Sequence, residues 1–185
     1  MADQERLSSV DAAWLRMDRP TNLMMICGVM TFSSRLDLKQ LREVICLRLL
    51  CFHRFRQRVI ERGLFAYWET DLNFDVNWHV RQMALPGAAG DKELTEIVGD
   101  LISTPLDSSK PMWQFHLIEI ANGGSALVLR IHHCYGDGFA LMHVVMSMTD
   151  IEPDQTRRQV EDIIPHDTSR SAWERAVMAG NLQVH

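Results

Sequence analysis

Nowhere in this 185-residue chain does an apolar run approach the roughly 18 residues that cross a bilayer. Any membrane contact read from the sequence is therefore peripheral. The opening residues, MADQERLSSVD, mix both charge signs and lack the apolar core of a signal peptide. Cysteine is sparse: Cys27, Cys46, Cys51 and Cys134 form no C-x-x-C pair. That scatter argues against a disulfide framework and for reduced thiols in a cytoplasmic protein. Positive charge is short as well. A net charge of −5, with no basic tail or basic-aromatic stripe, argues against nucleic acid as the main partner. Internal repeats and low-complexity tracts are missing too.

What is present is an ordinary globular composition, 46% apolar and 23% charged, able to bury a core. Residues 1–150 read as one domain. From Asp150 the chain turns polar and proline-bearing, so 151–185 reads as a linker with a short helix, Ala172–Ala179. Within the domain, Ser8 or Ser9 caps a helix to Met17, and Met24 to Phe32 reads as a buried strand. Asp37 caps a helix to about Phe52, carrying Leu38, Leu41, Val44, Ile45 and Leu49 at helical spacing. Arginines follow, then Gly63 and a strand in LFAYWET. FDVNWHVRQMAL reads as a further strand. DKELTEIVGDLIS reads as a helix capped by Asp91. MWQFHLIEI and SALVLRIHH flank Asn122-Gly123-Gly124 as an antiparallel hairpin. A Met-rich helix runs from about Ala140 to Met148. Irregular mixing of strands and helices predicts an α/β fold, a mixed sheet flanked by helices.

The chemistry concentrates in RIHHCYGDGF, Arg130 to Phe139. On a continuing strand, His133 shares a face with Leu127, Leu129 and Ile131, and His132 shares the other with Val128 and Arg130. Diverging neighbours make a poor chelating pair, and they also place Cys134 badly for a Cys-His nucleophile. An imidazole at a strand end suits a general base, with Asp137 bracing the turn through an arginine or backbone N–H groups. Gly136 and Gly138 would then leave room for substrate. A hydrogen-bonded structural histidine is an equal reading of these residues, and a metal held by His132, His133 and Asp137 stays open if the chain bends there. Arg48, Arg54, Arg56, Arg58 and Arg62 suggest a basic patch for a ligand's phosphates or anionic headgroups, or simply a solvated face. Trp113, Phe115 and Leu117 alternate as core. His53, His79, His116, His143 and His166 show no ligand spacing and read as structural or surface. The methionines read as core filler or as lining of an apolar pocket.

His132 to Gly138 spells HHxxxDG, which resembles the motif of the bacterial wax ester synthase/diacylglycerol acyltransferase family. LSSVDAAWLRMDRPTNLMM resembles that family's opening helix and strand. FRQRVIERG, FDVNWHVRQMALPG and STPLDSSKPMWQFHLIE resemble further family segments, in family order, from about Leu7 to Thr149. The resemblance implies a chloramphenicol acetyltransferase-like half-domain, a two-layer α+β sandwich. It implies transfer of a fatty acyl group from acyl-CoA to diacylglycerol or a long-chain alcohol. His133 would be the general base, His132 and Asp137 its support, and Gly136, Gly138, Pro111 and Trp113 motif positions around substrate. Acyl-CoA enters as substrate, with no metal and no permanently bound cofactor. Met112 replaces the leucine of the family's PLW, and Tyr135 and Gly136 depart inside the motif, where they are expected to alter the tunnel mouth. Complete family members carry a second half and hold the site between halves. That implies 151–185 leads toward a missing half, that this chain alone is weak or inactive, and that it self-associates or meets a partner. The expected location is cytoplasmic, with the inner-membrane or lipid-droplet surface as a peripheral site. The competing expectation is a truncated, non-catalytic lipid-binding or dimerisation module.

Overall fold

The computed structural model describes residues 4–149; the expected linker, the Ala172–Ala179 helix and His166 lie outside the described residues. A short strand, β1 (Glu5–Arg6), precedes α1 (Ser9–Met17), whose cap Ser8 accepts a hydrogen bond from the Asp11 N–H. β2 (Met25–Phe32) follows. Asp37 caps α2 (Leu38–Val44) by accepting from the Gln40 N–H at 2.9 Å. The helix expected to reach Phe52 widens instead into a π-helical turn at Ile45–Leu49, where the Leu50 N–H reaches the Ile45 carbonyl. The wider turn sets Ile45, Leu49 and Leu50 into the core.

A 3-10 turn leads into β3 (Gln57–Arg62), a strand that its arginines concealed. Gly63, at φ +61°, turns the chain into β4 (Phe65–Thr70). The stretch expected as one strand from Phe74 splits. Asp75 caps a one-turn helix, α3 (Val76–His79), and only then does β5 (Val80–Ala84) begin. Gly90 rather than Asp91 holds the cap position of α4 (Asp91–Ser103), and the Glu93 carboxylate accepts from its N–H at 3.0 Å. The expected hairpin is β6 (Trp113–Glu119) and β7 (Ser125–His132), and α5 (Gly138–Ser147) closes the described chain.

Two sheets result: β1-β4-β3, all antiparallel, and β2-β7-β6-β5, in which only β5 and β6 run parallel. Alternation sorts the large sheet. Trp113, Phe115, Leu127, Leu129 and Ile131 face a core shared with Ile45, Leu49, Phe55 and Trp68. Ile118, Ala126 and Val128 face Leu101 of α4. With a layer on each side, every residue of β7 is buried. Leu117 is buried with Trp113 and Phe115.

The expected basic patch is not one surface. Arg54 is buried, bonded to Gln57 and Glu5 and lying over the Trp68 ring. Arg48 is buried with a bond to the Met148 carbonyl, and Arg58 pairs with Glu69. Only Arg56 and Arg62 of the five are exposed. His79 and His116 are buried, and His53 and His143 lie at the surface.

Candidate functional site

β7 ends at His132, and the backbone tightens into a 3-10 turn over His133–Tyr135. Strand alternation therefore stops one residue before the second histidine. His133 does not share the Ile131 face; the turn brings both imidazoles beside α1. His133 stacks on Trp14, with ring centroids 4.3 Å apart and planes 17° from parallel. His132 lies 3.8 Å from a carboxylate oxygen of Asp18, the extended residue just past the end of α1.

The two rings differ in freedom. His132 is buried, and its Nδ1 accepts from the Cys134 N–H at 3.1 Å. That bond places the proton of the neutral ring on Nε2, toward Asp18. Burial lowers the His132 pKa; Asp18 opposes the shift and His133 adds to it. His133 is half-buried; its Nδ1 is enclosed without a partner, while its Nε2 is not among the enclosed atoms. Its backbone N–H donates to the Met24 carbonyl at 2.9 Å.

Asp18 ties the pair together. Its Oδ1 accepts from the Met24 N–H at 2.7 Å, and Met24 in turn holds His133. Its Oδ2 faces His132 across a gap too long for a direct bond. A cavity of about 30 Å³ sits there, lined by Asp18, Ser108, Leu106, Met112 and His132 among others. That is room for one water between carboxylate and imidazole. This small cavity opens on His132, not on His133. Met112, the residue that departs from the PLW pattern, is part of its wall.

The remaining motif residues separate into supports. Asp137 caps α5 by accepting from the Ala140 N–H at 2.8 Å, so the turn is braced through backbone. Gly136 is buried, and its N–H donates to the His133 carbonyl at 3.1 Å. Gly138 has open space where a side chain would project. Tyr135 corrects an expectation: it is not at an opening. Its hydroxyl donates to the Gln57 carbonyl at 2.6 Å and accepts from the Met112 N–H at 3.1 Å, deep in the core. Burial pushes its pKa well up. Pro111 is buried and its carbonyl accepts from the Trp113 N–H; Trp113 is fully buried, its indole N–H donating to the Phe55 carbonyl at 2.8 Å. Both are framework rather than lining. Cys134 is buried, and burial pushes its thiol up, away from a reactive thiolate.

Sequence reading missed Trp14 and Asp18. Trp14 lies on α1 and Asp18 is the extended residue that ends it, so no helical spacing links them in the sequence. Beyond the motif, α5 presents Phe139, Met142 and Met146 at 86%, 63% and 57% exposure, one apolar row at i, i+3 and i+7. Among the described residues, no three His, Cys, Asp or Glu side chains gather as a metal-ligand set, and no helix is long and apolar enough to cross a membrane.

The comparisons agree with the motif. A solved wax ester synthase/diacylglycerol acyltransferase from Marinobacter aquaeolei VT8 is 28% identical, with a TM-score of 0.70 over 81% of this chain and 39% of that one. A probable diacylglycerol O-acyltransferase of Mycobacterium tuberculosis, tgs3, is 31% identical over 159 residues, covering 80% of this chain and 58% of its own. Another from that organism, tgs1, is 29% identical over 151 residues but is covered over only 33% of its length. A mutant starter condensation domain of rhizomide synthetase, solved with C8-CoA, shares the fold at a TM-score of 0.63 and 15% identity. The chain thus spans about a third to somewhat over half of these relatives. The family described as the wax ester synthase/diacylglycerol acyltransferase catalytic domain matches residues 7–184, and the chain belongs to it.

Proposed function

We propose that this chain carries the acyl-transfer histidine of an O-acyltransferase acting between acyl-CoA and diacylglycerol or a long-chain alcohol. The observation that supports it most is the state of His133: half-buried, oriented by the Trp14 stack, with no hydrogen bond spent on its ring. In this reading the ring takes the proton from the acceptor hydroxyl. The oxygen attacks the thioester carbonyl carbon, a tetrahedral oxyanion forms, and its collapse breaks the C–S bond. The imidazolium returns the proton to the departing CoA sulfur. An ester and free CoA result, with no acyl-enzyme. Buried His132, its pKa lowered, remains neutral and supports the turn through Cys134. Asp137 holds the N-terminus of α5, and Gly138 leaves space beside the turn.

The test is ester formation from palmitoyl-CoA and hexadecanol or dioleoylglycerol at high chain concentration. The rate is expected to be low, because the cavity of about 30 Å³ beside the histidine pair cannot enclose an acyl chain. It should fall by about 10²-fold or more in His133→Ala and persist in Cys134→Ala. Ester formation that survives His133→Ala refutes the assignment. The exposed row on α5 favours a second reading, a lipid-holding or self-associating module without chemistry. Absence of any ester formation, together with dimers in size-exclusion chromatography, selects it.

A further inference from the structure

The β3–β4 turn meets α1 across the helix from Trp14, and the pocket between them is lined by Ala12, Leu15 and Arg16. Leu64, at the tip, is 81% exposed, and Phe65 is 44% exposed. Between this tip and α1 runs a groove of about 360 Å³ whose lining includes Arg16 and Glu61. Arginines surround the apolar tip. Arg16 donates to the Leu64 carbonyl at 3.1 Å, the Arg6 guanidinium lies 3.7 Å from the centre of the Phe65 ring, and Arg62 is the cross-strand partner of Phe65. None of these three makes an ion pair among the described residues, whereas Arg35, Arg54 and Arg58 each take a carboxylate. Glu61 is the one carboxylate lining the groove. In a chain of net charge −5, a surface of unpaired arginines around exposed apolar side chains runs against the background.

We infer that the β3–β4 tip and the outer side of α1 form a docking surface for an anionic lipid interface. Leu64 and Phe65 enter the acyl boundary while Arg6, Arg16 and Arg62 meet headgroup phosphates. The shape selects lipid over a protein partner: a projecting hairpin tip offers little of the roughly 800 Å² per side that a stable protein interface buries. Its position adds a consequence. Trp14, on the inner side of the same helix, stacks on His133. One helix diameter, roughly 10 Å, therefore separates the lipid surface from the histidine pair.

The test is co-sedimentation of the 185-residue chain with vesicles, with no acyl donor present, so that its outcome is independent of the acyl-transfer reading. Binding is expected to phosphatidylglycerol vesicles, weaker with added salt and weaker on pure phosphatidylcholine. Leu64→Asp should weaken it at least about tenfold, and Arg16→Glu about fivefold or more. Leu72→Asp, equally exposed at the far end of β4, should leave it unchanged. Unchanged circular dichroism and melting would confirm that the variants fold. No binding to phosphatidylglycerol vesicles, indifference to Leu64→Asp and Arg16→Glu, or an equal loss in Leu72→Asp overturns the inference. A dimer in solution that Leu64→Asp dissolves assigns the tip to a second copy and overturns it equally.

Discussion

Two histidines in this molecule stack on tryptophan with the same spacing, yet one ring is buried and hydrogen-bonded and the other is neither. His79 lies 4.3 Å from Trp113 and His133 lies 4.3 Å from Trp14, both nearly parallel. His79 is fully buried, its Nδ1 donating to the Trp113 carbonyl at 2.7 Å, and burial lowers its pKa to about 4. His133 has the same indole beneath it, but its ring makes no hydrogen bond and is half open. Stacking orients a ring; a spare nitrogen with access makes it available for proton transfer. The comparison also explains why a count of histidines says little about a site.

The largest effect expected from breaking this comparison is on acyl transfer. His133→Ala should lower ester formation by about 10²-fold to 10⁴-fold while changing the unfolding free energy from urea denaturation by less than about 1 kcal/mol. His79→Ala should do the reverse. It leaves a cavity beside Trp113 and an unbonded carbonyl, costing on the order of 2–3 kcal/mol in urea denaturation.

Buried neutral histidines also make a pH prediction. The pKa values of His79 and His116 are lowered to about 4, in each case chiefly by burial, and that of His132 is lowered too. The unfolded chain then binds more protons than the folded one between about pH 6.5 and 4, so stability falls as pH drops through that window. The loss should reach roughly 3 kcal/mol for each of His79 and His116, measured as a decline in urea midpoint. His116→Gln should flatten part of the slope.

Trp14→Ala sharpens the contrast from the indole side. It frees the His133 ring without touching it, and ester formation should fall about tenfold with the fold intact by circular dichroism. The smallest effect is on His132. Asp18→Asn keeps an acceptor for the Met24 N–H but removes the charge that raises the His132 pKa. Histidine NMR titration should then show its midpoint moving further down.

Much of the fold was legible because it is local. The β6–β7 hairpin follows from two apolar runs around a glycine turn, and α4 from a single apolar stripe. β3 was hidden because Arg58 and Arg62 occupy strand positions whose neutralisation by Glu69, or exposure, depends on a partner strand. The one-turn helix α3 was hidden because four residues carry no period. The motif was legible as a pattern, and Asp137 as a turn brace, since a cap acts on its own helix. Tyr135 was misread because nothing nearby in sequence reveals that its hydroxyl bridges Gln57 and Met112.

By itself the sequence determined the order of elements, the core residues of the large sheet and the placing of HHxxxDG at the end of a strand. Those features rest on periodicity, caps and turns within about ten residues of one another. Tertiary structure decided which histidine ring is hydrogen-bonded and which is not. A strand that ends one residue early, a tryptophan on α1 and an aspartate just past its end, both more than a hundred residues away in sequence, and a cavity beside His132 divide the pair into a hydrogen-bonded ring and an unbonded one. Contacts of that range depend on how layers pack, and no local pattern of residues encodes them.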